Sequence, residues 1–248
     1  MIELTSRGDV AILTMVHGKA NALTTAFCDG LVARLQETAA ARAVVITGTG
    51  RIFSAGVDLP RLLQGGPPYV RDFLPALHRL YDAVFFHPKP VVAAVNGHAV
   101  AGGCVLACAA DTRLMADNGT RIGVTELLVG VPFPPLAFEI MRYATAPQFF
   151  PAVIFSGATF APPEAIARGL IDDIVPADAL MDRAVAAAES LAALSPSAFA
   201  LTKRQMRQPV AERTASNGAA YGDAVTEAWT APETVSRIRD YVARTLKK

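Results

Sequence analysis

Charge and cysteine are both scarce in this sequence, and each shortage excludes something. Charged residues make up 18% of the 248 positions and sum to a net charge of +1. That removes the electrostatic basis for binding nucleic acid or an anionic membrane surface. The three cysteines, Cys28, Cys104 and Cys108, are odd in number and form no Cys-x-x-Cys pair. A disulfide framework is therefore not expected, and the thiols read as reduced and buried in a cytoplasmic protein. Cys104 and Cys108 share a helical face but have no partner ligands at metal spacing, so no metal is expected. Met1-Ile2-Glu3-Leu4-Thr5-Ser6-Arg7 lacks the charged-then-apolar pattern of a signal peptide. The apolar stretch 91–110 is interrupted by Asn96, His98 and glycines, so it reads as strand, loop and helix rather than a membrane span. Gly48-Thr49-Gly50 lacks the third glycine of a dinucleotide-binding turn.

What remains is 52% hydrophobic residues in a chain long enough to bury a substantial core as one large domain. Hydrophobic patterning predicts strands at 10–16, 43–47, 91–95, 111–116 and 121–124, with a strand-like connector at 171–175. It predicts a helix over 27–40 with Leu31 and Leu35 inward, and helices over 69–86 and 103–110. Further helices are expected at 136–144, 147–155, 162–168, 178–194 and 197–207. Gly65-Gly66-Pro67-Pro68 excludes regular helix across 61–68, and Ser216-Asn217-Gly218 marks a break before the final helices. Strands alternating with helices, followed mostly by helices, define an α/β chain with a helical C-terminal region. The expected division is a catalytic core over 1–194 and a helical region over 195–248 that serves oligomerisation and covers the active site. No repeat is visible in the sequence.

Two segments carry most of the chemistry: Phe53-Ser54-Ala55-Gly56-Val57-Asp58-Leu59 and Asn96-Gly97-His98-Ala99-Val100-Ala101-Gly102-Gly103-Cys104. Each follows a run of β-branched residues, so each reads as the loop leaving a buried strand. Small residues allow close backbone approach, and two such loops side by side form an oxyanion hole from main-chain N–H groups.

These motifs, together with Asn21-Ala22-Leu23, resemble those of the crotonase (enoyl-CoA hydratase/isomerase) superfamily over about residues 4–207. The resemblance implies a spiral of ββα units and an acyl-CoA thioester substrate, with no cofactor beyond the coenzyme A of the substrate itself. A homotrimer or dimer of trimers is also implied. The thioester oxygen would sit between the amides of Val57 and Gly102. Ser54, Ala55, Gly56, Leu59 and Gly103 would shape this pocket. Asp58 would lie near the CoA adenine or hydrogen-bond its own loop. Lys19 and Ala20 would meet the CoA phosphates or adenine.

Family members that hydrate 2-enoyl-CoA use two glutamates. By resemblance the first falls at Val105, which carries no proton. The second falls in Gly123-Val124-Thr125-Glu126-Leu127-Leu128-Val129-Gly130, where Glu126 is retained. A lone carboxylate in so apolar a stretch has its pKa raised by desolvation, which makes it a stronger base. One carboxylate suffices to move a 3-double bond into conjugation. The chain is therefore most similar to the single-glutamate 3,2-enoyl-CoA isomerases. A 2-enoyl-CoA hydratase and a silent acyl-CoA-binding homologue are the alternatives. Pro132-Phe133-Pro134-Pro135 lacks both the aspartate of the related dehalogenases and the tyrosine of the related decarboxylases. Leu62, Phe73, Leu77 and Phe133 are candidate walls for the acyl chain, or core. His98 and Glu139 are weaker candidates for substrate contact and a second acid; on a polar helix face Glu139 reads more readily as a solvated residue. Lys203 and Arg204 are candidates for phosphate binding, or surface charges.

Overall fold

A computed structural model describes residues 1–245; the last three residues of the expected C-terminal region lie outside them. The chain opens with an antiparallel hairpin, β1 (Ile2–Arg7) and β2 (Val10–Met15). The sequence gives no strand signal for the first of these, because only Ile2 is buried and Leu4 half-buried among its six residues. A helix follows, α1 (Thr25–Glu37), capped by the Thr24 hydroxyl accepting from the Phe27 amide at 3.1 Å. Leu31 and Leu35 are buried, as its periodicity predicts.

Three turns of the same unit come next: a strand, a second short strand, then a helix. They are β3 (Ala43–Thr47), β4 (Ile52–Ser54) and α2 (Leu59–Phe85); β5 (Val91–Val95), β6 (His98–Val100) and α3 (Gly102–Cys108); and β7 (Thr112–Asp117), β8 (Ile122–Gly123) and α4 (Glu126–Val129). The first strands of the three units join the hairpin and a later strand in a six-stranded sheet, parallel except at the hairpin. The second strands form a separate three-stranded parallel sheet in the order β4-β6-β8. Chain and sheets together thus spiral. The central strands β3 and β5 of the large sheet are buried on both faces, which is why they read as continuous apolar runs rather than alternating ones.

Helices dominate the remainder: α5 (Pro135–Ala144), α6 (Phe150–Ser156) and α7 (Pro162–Ala167), then β9 (Asp173–Pro176), then α8 (Leu180–Ala192), α9 (Pro196–Thr230) and α10 (Pro232–Thr245). Among the described residues no single helix is long and apolar enough to cross a membrane. Two sequence expectations need correction. Residues 61–68 are helical except at Gly66, whose φ of 59° and ψ of −159° separate two helices, and Pro67 and Pro68 begin the second. Prolines are tolerated there because a helix's first turn needs no amide partners. The break expected at 216–218 is absent. Helix α9 runs through it and ends at Ala231–Pro232 instead, and Asn217 is tied down by donating to Glu139 at 3.0 Å.

The long α9 is anchored to the core by buried charge. Asp111 accepts from Lys203 at 2.6 Å and from Arg207 at 2.7 Å. The Arg207 guanidinium also donates to the Phe85 carbonyl and lies 4.1 Å from the centre of the Phe85 ring. Lys203 is therefore not a surface charge, and its ammonium is already committed to Asp111 and the Lys89 carbonyl. Arg204 is exposed. Glu139 is fully buried rather than solvated, held by Arg213 at 2.6 Å and by Asn217.

Candidate active site

Val57, Gly102 and Glu126 occupy equivalent places in the three turns of the spiral. Each lies at the junction where a strand of the small sheet gives way to the following helix. Parallel strands put these junctions at one end of the sheet, the end where ligands collect in parallel α/β architectures. The three residues line one cavity with Ala55, Leu59, Leu77, Tyr81, Thr125, Val129, Val131 and Trp229.

The first loop is held from behind by Asn21-Ala22-Leu23. Asn21 has φ of 46°, a conformation asparagine tolerates, and its amide donates to the Phe53 carbonyl at 3.1 Å. Leu23 takes two backbone bonds, from its amide to the Gly56 carbonyl and to its carbonyl from the Asp58 amide. The Ser54 hydroxyl donates to the Asn21 carbonyl at 2.8 Å and accepts from the Gly56 amide at 3.2 Å.

The two loops touch through their glycines. A Cβ on Gly56 would stand 2.8 Å from the Val100 carbonyl and 2.9 Å from the Gly102 nitrogen. One on Gly103 would stand 2.2 Å from the Ser54 carbonyl. Ala101 between them has φ of 51° and ψ of −127°, a strained conformation of the kind that persists at functional sites. The amides of Val57 and Gly102 have no acceptor among the described residues, and both residues face the cavity. Such a pair can stabilise an anionic oxygen.

Glu126 opens α4, and Gly130 closes that short helix in the left-handed conformation at φ of 89°. Gly123 is dictated by a backbone crossing, since a Cβ there would lie 2.3 Å from the Ala158 carbonyl. The spacing of the motif is thus structural, and it delivers one carboxylate into an apolar chamber. Glu126 is 8% exposed, and its Oε2 has no hydrogen-bond partner among the described residues. Burial pushes its carboxyl up to about 7, partly offset by the backbone amides of Glu126 and Thr125. Among the residues lining the cavity it is the single carboxylate.

The other sequence candidates divide. Ala55 and Leu59 line the cavity, while Ser54, Gly56 and Gly103 shape the loops from behind. The Asp58 carboxylate caps α2, accepting from the Arg61 amide at 2.9 Å. Lys19 is exposed, and the half-buried Ala20 accepts from the Ala55 amide. Phe133 is not on this wall. It lines a separate open groove and packs edge-on against Phe138, because the chain turns between Val131 and Pro134, which do line the cavity. Of the proposed acyl walls, Leu77 lines the cavity, and Leu62 and Phe73 are core. His98 is absent from it too: its Nδ1 accepts from the Arg121 amide at 3.1 Å. Val105 is buried core. Tyr81, Trp229 and Tyr241 were missed. Tyr81 donates to the Gly102 carbonyl at 3.0 Å, and Trp229 donates to the Pro132 carbonyl at 2.8 Å. The only available signal was that this is the sole tryptophan in the chain.

The enoyl-CoA hydratase/isomerase family model matches residues 5–236. The chain belongs to that family. Within the family it is 39% identical over 166 residues to a putative enoyl-CoA hydratase of Thermus thermophilus, an alignment covering 65% of this chain and 64% of that protein. It is 28% identical over 218 residues to human enoyl-CoA delta isomerase 1, mitochondrial, covering 86% of this chain and 72% of the other. The solved human mitochondrial delta3-delta2-enoyl-CoA isomerase superposes with a TM-score of 0.92 at 25% identity, over 99% of this chain and 98% of that one. The expected crotonase fold is therefore the fold found. Relatives carry both activities in their names, so membership places the chain among the enoyl-CoA hydratases and isomerases without choosing between the two.

Proposed function

We propose that this chain is an enoyl-CoA isomerase that moves a 3-double bond to the conjugated 2-position. The observation that carries the reading is the solitary buried carboxylate of Glu126 in the cavity bounded by Val57 and Gly102. In a 3-enoyl-CoA the C2 proton is acidified by the thioester and by the neighbouring double bond. Glu126 takes this proton, and the electron pair spreads over a dienolate whose oxygen is held by the amides of Val57 and Gly102. The protonated Glu126 then returns the proton to C4, leaving the double bond between C2 and C3. One group acts as base and then acid, and a pKa near neutrality suits both steps.

Hydration has the name of the Thermus relative in its favour, but it asks for a second group to handle the water. Apart from Glu126, the cavity offers the side chains of Tyr81, Thr125, Trp229 and Tyr241. The hydroxyl proton of Tyr81 and the indole proton of Trp229 are already committed to carbonyls. A silent acyl-CoA-binding role would leave the cost of burying Glu126 without a purpose.

The test is Glu126→Gln. Turnover of 3-hexenoyl-CoA should fall by about 10²–10⁴-fold, as for loss of a general base, while binding of a saturated acyl-CoA is kept. An unchanged rate would remove Glu126 from the mechanism.

A further inference from the structure

The walls of the Glu126 cavity bear on the length of acyl chain it accepts. We infer that the site is built for short acyl groups, of about six carbons or fewer, with Trp229 on the C-terminal helix α9 as the residue that limits length. The inference rests on reading this cavity as the acyl site, and it adds the substrate class.

The cavity volume is only about 70 Å³, against about 730 Å³ for the open groove lined by Phe133 and Phe138. A dry apolar cavity of about 150 Å³ accommodates a benzene ring. By that scale about 70 Å³ takes roughly three carbon atoms of the acyl group, far fewer than a decanoyl chain carries. Away from the two loops, Glu126 and Thr125, the walls are mostly apolar, with Leu77 from α2, Val129 from α4, Ala137 from α5 and Trp229 from α9 among them.

Trp229 is the largest side chain among them and is fixed. It is 2% exposed, and its indole Nε1 donates to the Pro132 carbonyl at 2.8 Å. Rotating it out of the way would break that bond and expose the ring. Tyr241 from α10 adds to the same wall. The Arg237 side chain lies against Gly130, so that a Cβ there would come within 2.8 Å of it, which seats α10 on the turn that carries Glu126.

The experiment is calorimetric titration of the protein with butyryl-, hexanoyl- and decanoyl-CoA, saturated thioesters that do not turn over. Alongside it, kcat/KM is measured for the matching 3-enoyl-CoA series. A methylene that does not fit a hydrophobic pocket is worth about 10–200-fold in discrimination. Butyryl- and hexanoyl-CoA should therefore bind at least about tenfold more tightly than decanoyl-CoA, and Trp229→Ala or Leu77→Ala should reduce or reverse that preference. Decanoyl-CoA binding to the unsubstituted protein as tightly as hexanoyl-CoA overturns the inference, and so does failure to bind any of the three. This wild-type comparison decides the matter even where a variant fails to fold. Short-chain binding without isomerisation of 3-hexenoyl-CoA leaves the length assignment standing and removes the isomerase reading instead.

Discussion

Glu126→Gln should make the protein more stable at alkaline pH than at acid pH relative to its parent, in the same substitution that removes turnover. The native carboxyl has a pKa of about 7 against an ordinary 4.5 because burial disfavours its charge. Between those two values the folded protein holds a proton that the unfolded chain releases, so stability falls as pH rises through the window. Below it the carboxyl is neutral in both states and the penalty vanishes. Above about pH 7 the penalty is complete, roughly 3 kcal/mol at about 1.4 kcal/mol per pKa unit. Glutamine carries an unpaired amide in the same chamber, but that cost does not change with pH. Going from pH 5 to pH 8, the stability difference between variant and parent should therefore shift in favour of the variant by about 2–3 kcal/mol. All other titrating groups are common to both proteins and cancel in the difference. Urea melts at the two pH values would read it directly, and for a chain of this size the thermal midpoint should move by roughly 5–10 °C. A difference that is the same at both pH values would mean that the carboxylate is not desolvated, and the assignment of a tuned base would fail.

Three further outcomes follow from the same geometry. The rate constant kcat/KM for a 3-enoyl-CoA should rise about tenfold per pH unit at acid pH and level off near pH 7, and a plateau already reached by pH 5 would contradict the buried-base reading. Arg207→Ala should cost about 3 kcal/mol in a denaturant melt, near the lower end for breaking a buried ion pair because Asp111 keeps Lys203; a loss under about 0.5 kcal/mol would show that the triad does not hold α9 down. Gly103→Ala should destabilise by about 1–3 kcal/mol or more through overpacking against the Ser54 carbonyl, and turnover should fall with it; full activity would mean the two loops can separate at no cost.

How much was legible in the sequence depended on whether the signal was local. The central strands β3 and β5 of the large sheet are continuous runs of Val, Ile and Ala, and the sequence places them at their observed bounds, whereas β1 at its edge carries no such run. The frame around Glu126 was legible because each glycine answers a fixed steric demand, a crossing backbone at Gly123 and a left-handed cap at Gly130. Long-range partners were not legible. Nothing local to Lys203 reports that Asp111 lies opposite, so its burial could not be read. Nothing local to Asn217 reports that Glu139 will hold it in a helix against the turn propensity of Ser-Asn-Gly. Phe133 missed the cavity because adjacent residues of a proline-rich turn face in different directions, and the alternation rules of strands and helices do not apply there. Trp229 reaches the cavity from the far end of a helix that periodicity had carried only to 207.

The central claim is that a single carboxylate beside two free backbone amides is the whole catalytic apparatus. It is tested most directly by assaying one preparation of the protein, under one set of conditions, for conversion of 3-hexenoyl-CoA to its conjugated isomer and for hydration of crotonyl-CoA. Isomerisation far faster than hydration is the predicted result. Hydration as fast as isomerisation, or faster, would show that another group supplies the second acid–base function missing at Val105 and would contradict the account.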